Sequence, residues 1–409
     1  MTHDLIIIGG GIAGGAMATV MARAGRNVLV LEATDSFTDR VRGEWIAPWG
    51  VTETRRLGLY DTLRTADTHH LTRHITYDES LPPELAEAAA IDLGMFAPDV
   101  PGPLCIRHPE HCQTLFDAAI AAGATMLRPV QILSVELGAN PKVRYVHEGV
   151  ETEATAPLII GADGRTSIVR KTAGIHLHQD KPHHWFAGLL VDDVKGWDEH
   201  TQAIGTENEF GFLAFPQGGE RVRVYGGYPL SQTRRFAGAD GGRAFLEAFR
   251  MKSCPNNDAI ANGTPAGPIL SFHNNDTWSD EPFVEGGVIV GDAAGWNDPI
   301  NGLGLSVTYR DVRLVSDILK NTAPGQRPDF RPYAEERAER MRRVRFVGQI
   351  QATLDMEFGE EAKARRLRHY TQAAANPEVG AHAAAVLAGP EALPAEFFTE
   401  AHRERALGG

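Results

Sequence analysis

Short apolar runs and a glycine-rich break alternate over the first thirty residues. The β-branched run at 4–8 predicts a central parallel strand that is buried on both faces. Glycines interrupt the pattern at 9–15, and small residues at 16–24 predict a helix that ends at Gly25. The apolar run at 27–31 predicts a second strand. The chain therefore begins with a strand–helix–strand unit.

The pattern of hydrophobic and polar residues changes in the middle of the chain. Residues 36–110 have no clean hydrophobic period, which predicts long excursions between sheet elements. Residues 111–122 predict a helix. Strands are expected at 124–126 and 131–135, and buried strands of the first kind at 158–160 and 288–290.

From about residue 183 to 229, apolar and polar residues alternate and aromatic residues are frequent. The runs 210–215 and 221–225 flank a turn signal at 216–219, which predicts an antiparallel hairpin within an inserted second sheet. From Gly304 the pattern is helical to the end of the sequence.

Composition and charge narrow the class of protein. The 409 residues are 43% hydrophobic and 23% charged, which is typical of a folded protein of two or three domains. A net charge of −13 repels nucleic-acid phosphates and anionic lipid, so we expect neither nucleic acid nor membrane as a partner. The three cysteines cannot form a disulfide framework. This cysteine usage fits a reducing compartment, so we expect a cytoplasmic protein. No apolar run approaches the roughly 20 residues that span a bilayer.

The glycine-rich break has the spacing of a dinucleotide-binding loop. Gly9, Gly11 and Gly14 fit G-x-G-x-x-G between a strand and a helix, so backbone N–H groups and the helix N-terminus can approach a pyrophosphate. Glu32 follows the third glycine by 18 residues, at the end of the second strand. A carboxylate there accepts hydrogen bonds from a ribose diol and repels a 2′-phosphate, so the tightly held ligand should not be NADP. A glycine-rich packing turn is the alternative.

Two later motifs place an aspartate directly after a buried strand. They are Gly-Ala-Asp-Gly-Arg-Thr-Ser at 161–167, with Asp163, and Gly-Asp-Ala-Ala at 291–294, with Asp292. Each alone could be a helix N-cap. In this order with the glycine loop, over about residues 4–320, the sequence resembles the flavoprotein monooxygenases of the para-hydroxybenzoate hydroxylase type (class A).

The resemblance implies FAD as the cofactor, with NADH or NADPH as a transient reductant. Glu32 would contact the adenosine ribose, Arg42 and Arg107 would lie along FAD, and the Val130 backbone would contact adenine. Asp163 would serve both the pyrophosphate and the reduced nicotinamide cofactor, and Asp292 the ribityl or pyrophosphate segment. The expected FAD-binding residues are Gly9, Gly11, Ile12, Ala13, Gly14, Glu32, Arg42, Arg107, Val130, Asp163, Asp292, Gly302, Gly304 and Leu305.

Residues 298–305 resemble the next loop of that family, which leads into a helix. Helix N–H groups at 302–305 would face the flavin edge that becomes anionic on reduction, and Pro299 would lie near the reactive flavin carbon. The chain departs from the family in two places. Gly295 stands where the family often has His, and Leu303 stands where it often has Gln.

The resemblance further implies an α/β fold. A Rossmann-like FAD-binding domain would carry an inserted, mostly antiparallel β-sheet substrate domain and a C-terminal helical region. The expected FAD-binding parts are 1–75, 106–180 and 281–325, the substrate-domain excursion is 76–105, the substrate-binding sheet is 181–280, and the C-terminal helices are 326–409.

The implied reaction is monooxygenation with O2 through a C4a-hydroperoxyflavin. The protein would hydroxylate or epoxidise a largely apolar, aromatic or polyunsaturated small molecule, as a monomer or homodimer. Water must be kept out, so aromatic cavity residues are expected. The candidates are Trp45, Trp49, Phe210 and Phe212 beside Pro299, and ordinary sheet-core packing is the alternative for the aromatics. No side chain is assigned as the catalytic acid or base.

Several alternatives stay open. A flavin-dependent halogenase, a reductase of the geranylgeranyl type and a non-enzymatic flavin sensor or carrier share the implied cofactor. The halogenase signature Trp-x-Trp-x-Ile-Pro is missing. The His-Pro-Glu-His-Cys run at 108–112 looks more like a helix start than a metal site. The arginines of 337–345 alternate with glutamates, which predicts a solvated, ion-paired helix face.

Overall fold

The computed structural model describes residues 3–41, 43–323 and 326–408. A six-stranded sheet forms the first layer, and all but one of its strand pairs are parallel. Its strands, in spatial order, are Phe283–Val284, Gly287–Ile289, Ile159–Gly161, Leu5–Ile8, Val28–Leu31 and Thr125–Leu127. We call it the parallel sheet.

The first strand of the chain occupies the middle of this sheet. Leu5–Ile8 is buried along its whole length between Ile159–Gly161 and Val28–Leu31, which confirms the expected central strand. Apolar side chains on both faces suit such a position. The flanking helices that complete the first core are Ile12–Arg23, His108–Ala121 and Gly304–Asn321.

The first helix begins at Ile12, four residues before the expected start at 16. The glycines at 14 and 15 belong to its first turns. A Cβ on Gly15 would lie 2.9 Å from the Cβ of Leu115, so the missing side chain lets two helices pack closely. Close packing therefore overrides the low helix propensity of glycine here.

A second, larger sheet is mostly antiparallel, as expected for an inserted domain. Its path runs Thr264–Pro265, His184–Asp192, Arg221–Tyr228, Phe210–Gly218, Thr201–Glu207, Arg73–Asp78 and Ile91–Asp92, with Leu270–Asn274 also paired to His184–Asp192. We call it the large sheet. The predicted hairpin is confirmed, with strands that extend to Gly218 and Tyr228.

Residues 36–110 contain more regular structure than the pattern indicated. Arg73–Asp78 joins the large sheet in parallel with Thr201–Glu207, about 130 residues away in sequence. Short strands paired over such distances leave no local period, which explains the missed elements. The other elements of this region are Trp45–Ile46, Pro48–Arg56, Tyr60–Leu63, Thr68–His70, Pro83–Ala88, Leu93–Phe96 and Leu104–Ile106.

Smaller elements complete the two layers. A three-stranded sheet consists of Val130–Glu136, Lys142–His147 and Val150–Thr155, and a two-stranded one of His178–Gln179 and Thr277–Trp278. The short helices Gly241–Glu247 and Asn257–Ala261 pack against one face of the large sheet. Further short helices are Ile168–Thr172, Gly291–Ala293 and Pro299–Asn301.

The C-terminal region is helical, as expected. Its helices are Arg331–Asp355, Glu360–Ala375, Pro377–Ala383, Ala384–Ala388, Pro390–Ala392, Ala395–Phe398 and Glu400–Ala406. None of the helices in the described ranges combines the length and apolarity needed to cross a bilayer.

One prediction for the long helix Arg331–Asp355 is wrong. Arg337 and Arg340 are only 1% and 3% exposed, whereas a solvated face was expected. Both guanidinium groups point inward to the buried carboxylate of Asp311, at 3.1 and 2.7 Å. Arg342 does follow the expectation, because it is half exposed and pairs with Glu339.

Candidate functional site

A cavity of about 540 Å³ opens between the parallel sheet and the large sheet. The carboxyl ends of the central parallel strands reach one end of it, where ligands bind in open α/β sheets. We call that region the nucleotide end and define it by Gly9, Gly11, Ile12, Ala13, Glu32, Asp163 and Asp292. The other end, the aromatic chamber, is walled by Trp45, Phe186, Leu213, Phe215, Tyr225 and Phe272.

The three glycines of the loop have different tasks. A Cβ on Gly14 would lie 1.8 Å from the carbonyl oxygen of Gly9, and one on Gly9 would lie 2.5 Å from that of Ala162. Those two positions therefore admit the close approach of backbone to backbone. A Cβ on Gly11 would meet no described atom within 4 Å, and Gly11 faces the cavity. The space in front of Gly11 suits a phosphate group.

Glu32 is held in place at the end of its strand. Its Oε2 accepts a hydrogen bond from the Gly10 N–H at 2.6 Å, and its Oε1 accepts from the N–H and hydroxyl of Thr34 at 2.8 and 2.7 Å. The side chain is 7% exposed and lines the cavity. A fixed carboxylate at this point fits a ribose diol.

Asp163 carries an unsatisfied oxygen at the nucleotide end. Its Oδ2 accepts from the Ile168 N–H at 2.6 Å, but its Oδ1 is buried without a partner in the described chain. Burial raises the pKa of this carboxyl. A buried unpaired acceptor costs about 1–3 kcal/mol, so a bound polar group or water is expected there.

Asp292 lies across the same end of the cavity. Its carboxylate pairs with Arg165 at 3.2 Å, and the guanidinium carbon of Arg165 stands 4.9 Å from the ring centre of Trp296. All three residues line the cavity. The loop after Gly-Asp-Ala-Ala, where the chain departs from the resembled family, therefore contributes an aromatic wall beside a charged pair.

The buried arginines of the long helix stabilise this loop. Arg337 donates to the carbonyl oxygens of Ala294 and Gly295, each at 3.0 Å, while Asp311 accepts from the Gly291 N–H at 2.9 Å. The two arginines lower the pKa of Asp311 although burial opposes them. Sequence reasoning missed this support, because an arginine alternating with glutamates looks solvent-exposed until its partner is known.

The helix Gly304–Asn321 points its N-terminus at the cavity, which Gly302, Gly304 and Leu305 line. Gly302 has φ +66°, and its Cβ would lie 2.9 Å from the Trp45 ring, so the loop needs glycine here. Pro299 also lines the cavity, as expected. The free N–H groups of this helix can stabilise negative charge in the cavity.

The large sheet presents the aromatic chamber with only one of its faces. Phe186, Leu213, Phe215 and Tyr225 face the cavity, and Phe186 stacks on Tyr225 with ring centres 5.4 Å apart. Strand alternation assigns neighbouring positions to the opposite face. Alternation puts Phe215 on the face opposite to Phe210 and Phe212, and Phe215 is the phenylalanine of that strand that reaches the cavity.

Three expected cavity residues lie elsewhere. Phe210 and Phe212 pack against Phe249 in the core under the short helices, on the far face of the large sheet. Trp49 belongs to the helix Pro48–Arg56, where its indole donates to the Val386 carbonyl at 3.1 Å. Choosing the wrong face of the strand, and not the wrong strand, misplaced the two phenylalanines.

Trp45 lines the cavity and is fixed by a directed chain of hydrogen bonds. Its Nε1 donates to Gln202 Oε1 at 2.8 Å, and Gln202 Nε2 lies 3.1 Å from His74 Nδ1. The remaining ring nitrogen of His74 lies 3.1 Å from the Thr76 hydroxyl. Burial lowers the pKa of His74 to about 4, so its neutral ring can accept from Gln202 at Nδ1.

A second polar cluster lies behind the Pro299 loop. Asp298 accepts from the Ile300 N–H at 3.0 Å, its own N–H donates to Asp276 at 3.1 Å, and His184 Nε2 lies 3.9 Å away. Burial raises the pKa of Asp298 to about 6, and burial beside Asp298 raises that of Asp276. Burial lowers the pKa of His184 to about 3. The loop that faces the chamber thus rests on buried titratable groups.

Two further residues that were expected to contact FAD, Arg107 and Val130, make contacts within the protein. Arg107 pairs with Glu110 at 2.8 Å before the helix His108–Ala121, and the Val130 N–H donates to the Glu32 carbonyl at 2.8 Å. Arg42 lies outside the described residues. Arg40 and His108, which the sequence did not single out as cofactor contacts, line the cavity.

No group of three or more histidine, cysteine, aspartate or glutamate side chains in the described ranges could hold a metal ion. The nucleotide end, in contrast, has what FAD requires. An open space lies in front of Gly11, Glu32 presents a fixed carboxylate, and Asp163 has an unpaired oxygen. All of these features line the one cavity of about 540 Å³, so the site fits an elongated dinucleotide such as FAD.

The fold and this site define a flavin-dinucleotide-binding protein. The chain belongs to the FAD binding domain family, whose pattern matches residues 2–347. It is similar to squalene epoxidase 2, mitochondrial, of Arabidopsis thaliana, at 26% identity over 322 residues, covering 78% of this chain and 54% of that protein. It is also similar to squalene epoxidase erg1 of Aspergillus fumigatus, at 25% identity over 332 residues, covering 77% and 66%.

The solved structure of p-nitrophenol 4-monooxygenase PnpA from Pseudomonas putida DLL-E4 has the same fold. The TM-score is 0.76 at 16% identity, over 100% of this chain and 99% of that one. The predicted FAD-binding α/β fold is therefore confirmed. This chain spans 54% to 66% of the length of the two squalene epoxidases that it matches.

Proposed function

We propose that this protein is an FAD-dependent monooxygenase. It uses NADH or NADPH and O2 to hydroxylate or epoxidise a largely apolar small molecule that is aromatic or polyunsaturated. The observation that carries the proposal is the single cavity with a dinucleotide-binding end and an aromatic chamber. A protein that only stores or senses flavin has no need of a second, apolar compartment beside the reactive ring.

FAD would be held by the nucleotide end. Gly11 leaves room for the pyrophosphate. Glu32 would accept hydrogen bonds from the ribose, and Asp163 and Asp292 would lie along the segment between. Bound FAD supplies the redox chemistry with O2 that no side chain of this protein provides. The N-terminus of the helix Gly304–Asn321 stabilises negative charge on whatever lies in front of it.

The aromatic chamber has two tasks. Its walls exclude water from the reacting centre, and they give an apolar substrate a surface to bind. Trp45 is the best-fixed wall residue, because Gln202 and His74 hold the indole at one angle. The names of the squalene epoxidases support an apolar, unsaturated substrate class for this chain.

The reductant would bind only transiently. The sequence has a single strand–glycine loop–helix unit of the dinucleotide type, and FAD takes it. NADH or NADPH would then approach from the side of Asp163 and Arg165, where the cavity is polar. The remaining sequence predictions, a cytoplasmic monomer or homodimer with the six segment boundaries given above, are part of this proposal.

The test is spectroscopic and kinetic. The purified protein is examined for flavin absorbance, and NADH and NADPH oxidation is followed with a panel of phenols, polyketides and polyenes. We expect a yellow protein whose substrate-stimulated turnover requires O2 and gives a product heavier by one oxygen atom. Turnover under strict anaerobiosis would instead favour a reductase. Flavin binding without any stimulated turnover would favour a sensor or carrier.

A further inference from the structure

The aromatic chamber has few polar atoms of its own. Among its six wall residues, only Trp45 and Tyr225 have a polar side-chain atom. The indole N–H of Trp45 is already donated to Gln202. In the described parts of the chain, the hydroxyl of Tyr225 has no hydrogen-bond partner. Among the six residues that define the chamber, Tyr225 is therefore the one whose polar atom has no partner in the residues that the structure describes.

The ring of Tyr225 is fixed although its hydroxyl is not bonded. It stacks on Phe186 at an interplanar angle of 15°, and it meets Phe215 edge-on with ring centres 6.2 Å apart. Gly188 pairs with Tyr225 in the sheet, and a Cβ there would lie 2.8 Å from the tyrosine ring. The ring lies flat on a strand position that has no side chain, so the direction of its hydroxyl is set in advance.

The surroundings of Tyr225 favour a neutral partner. Burial raises the pKa of this phenol, so it stays protonated and can donate a hydrogen bond. The neighbouring Arg223 is compensated by two carboxylates, Glu44 at 2.5 Å and Asp39 at 2.6 Å. Since the positive charge already has two carboxylate partners, the region does not attract a further anion strongly.

We propose that the Tyr225 hydroxyl binds a neutral oxygen, a hydroxyl or carbonyl group, on an otherwise apolar substrate. This inference rests on the proposed function only in taking the chamber's occupant to be the substrate. It excludes two simpler substrate classes, a pure hydrocarbon such as squalene and a carboxylate. The oxygen would anchor one end of the molecule and fix which carbon faces the cofactor.

The experiment uses three probes that share one ring system. Naphthalene, 2-naphthol and 2-naphthoate are each equilibrated by dialysis with the FAD-saturated protein, and the bound fraction is measured. We expect 2-naphthol to bind roughly three- to tenfold more tightly than naphthalene, the factor that one hydrogen bond contributes. In Tyr225→Phe that preference should fall below about twofold, because the ring stays and only the hydroxyl is lost.

Tyr228→Phe is the matched control. It removes the same atom three residues along the strand, but Tyr228 is 1% exposed and packs in the core on the opposite face. The preference for 2-naphthol should survive in this variant. The inference is wrong if the wild type shows no preference, if neither oxygenated probe binds saturably, if 2-naphthoate binds most tightly, or if Tyr225→Phe keeps the preference.

These outcomes are separate from those of the proposed function. If the protein prefers 2-naphthol through Tyr225 but never consumes NADH or NADPH, the inference about the binding subsite is supported and the proposed monooxygenase function is wrong. If O2-dependent turnover of a hydrocarbon and of its alcohol has equal KM, the proposed monooxygenase function is supported and the inference about the binding subsite is wrong.

Discussion

The two ends of the cavity are suited to bind their ligands by different means. At the nucleotide end, backbone groups and three carboxylates lie within a few residues of a glycine or a strand end. The aromatic chamber is assembled from side chains on strands far apart in sequence, such as Trp45, Phe186 and Tyr225. The geometry of the nucleotide end is set by the backbone. The geometry of the aromatic chamber depends on how its side chains pack and hydrogen-bond with their neighbours.

The largest effect that tests this contrast is expected at Gly11. Because a Cβ at Gly11 meets no described atom, Gly11→Val should leave the fold intact and fill the space that a pyrophosphate needs. We expect FAD affinity to fall at least about 100-fold, measured by fluorimetric titration of the apoprotein, with an unchanged circular dichroism spectrum.

Gly14→Ala is the informative partner. Its Cβ would lie 1.8 Å from a backbone oxygen, so this smaller change should destabilise the fold itself. If Gly11→Val retained stoichiometric FAD, the loop would not be the pyrophosphate site. If Gly14→Ala folded as well as the wild type, the assigned division of tasks between the glycines would be wrong.

The support of the nucleotide end gives the next effect. Arg337→Met removes one of the two arginine partners of the buried Asp311 carboxylate. It also removes four hydrogen bonds, one to Asp311 and three to the loop 291–295. Breaking a buried ion pair from one side costs about 3–5 kcal/mol. We expect a loss of that size in the free energy of unfolding, measured with urea, together with weaker FAD retention.

Arg342→Met on the same helix is the control for that variant. Its side chain is 46% exposed, pairs with an equally exposed glutamate and donates one hydrogen bond to the Phe398 carbonyl at 3.3 Å, so its loss should cost about 1 kcal/mol or less. Equal losses in the two variants would mean that Arg337 does not stabilise the site through its buried contacts.

A substitution behind the chamber wall should lower the coupling of NADH or NADPH oxidation to product and leave FAD affinity nearly unchanged. Gln202→Leu leaves the Trp45 N–H and the His74 Nδ1 without their partner, so the indole is free to rotate. We expect product formed per NADH or NADPH oxidised to fall several-fold, up to about tenfold, while FAD affinity stays within about twofold.

Trp185→Phe provides the comparison for the chamber variant. Its indole bonds to the Leu230 carbonyl at 3.3 Å, and its ring packs against the core on the other side of the large sheet. Coupling of NADH or NADPH oxidation to product should be unchanged there. A coupling loss of the same size in both variants would contradict a positioning role for Gln202.

The same contrast explains how far the sequence could be interpreted. The parallel sheet, the first helix and the residues of the nucleotide end lie in short local patterns. The order of those patterns carries the family resemblance, and the resemblance implies the fold. Phe210 and Phe212 were assigned to the wrong face, because alternation separates two faces without saying which one meets the cavity.

Partners distant in sequence were also beyond prediction. Arg337 looked solvent-exposed until Asp311 was found 26 residues away, and His74 has no visible role until Gln202 and Trp45 lie beside it. In the sequence, Tyr225 is one of several aromatic residues in the alternating region from about 183 to 229. Its distinction, an unsatisfied hydroxyl on a fixed ring, arises from the three-dimensional arrangement alone.

The smallest expected effect concerns the titratable loop behind the chamber. Burial raises the pKa of Asp298 to about 6, above its ordinary value of 3.8, so the folded protein binds this proton more tightly than the unfolded chain does. The stability from this group is complete below pH 4 and is lost as the pH rises through about 6. Between pH 5 and 7 that loss amounts to about 1 kcal/mol.

Asp298→Asn isolates this contribution, because the amide oxygen can still accept from the Ile300 N–H but does not titrate in this range. The whole protein also contains buried histidines, including His184 with a pKa near 3, which lose stability as the pH falls below about 6.5. The wild-type profile alone is therefore not informative. The unfolding free energy of the wild type minus that of the variant should decrease by about 1 kcal/mol from pH 5 to pH 7. A difference that stays constant would mean that Asp298 is ionised throughout, held by the neighbouring His183 and His184 more strongly than its burial implies.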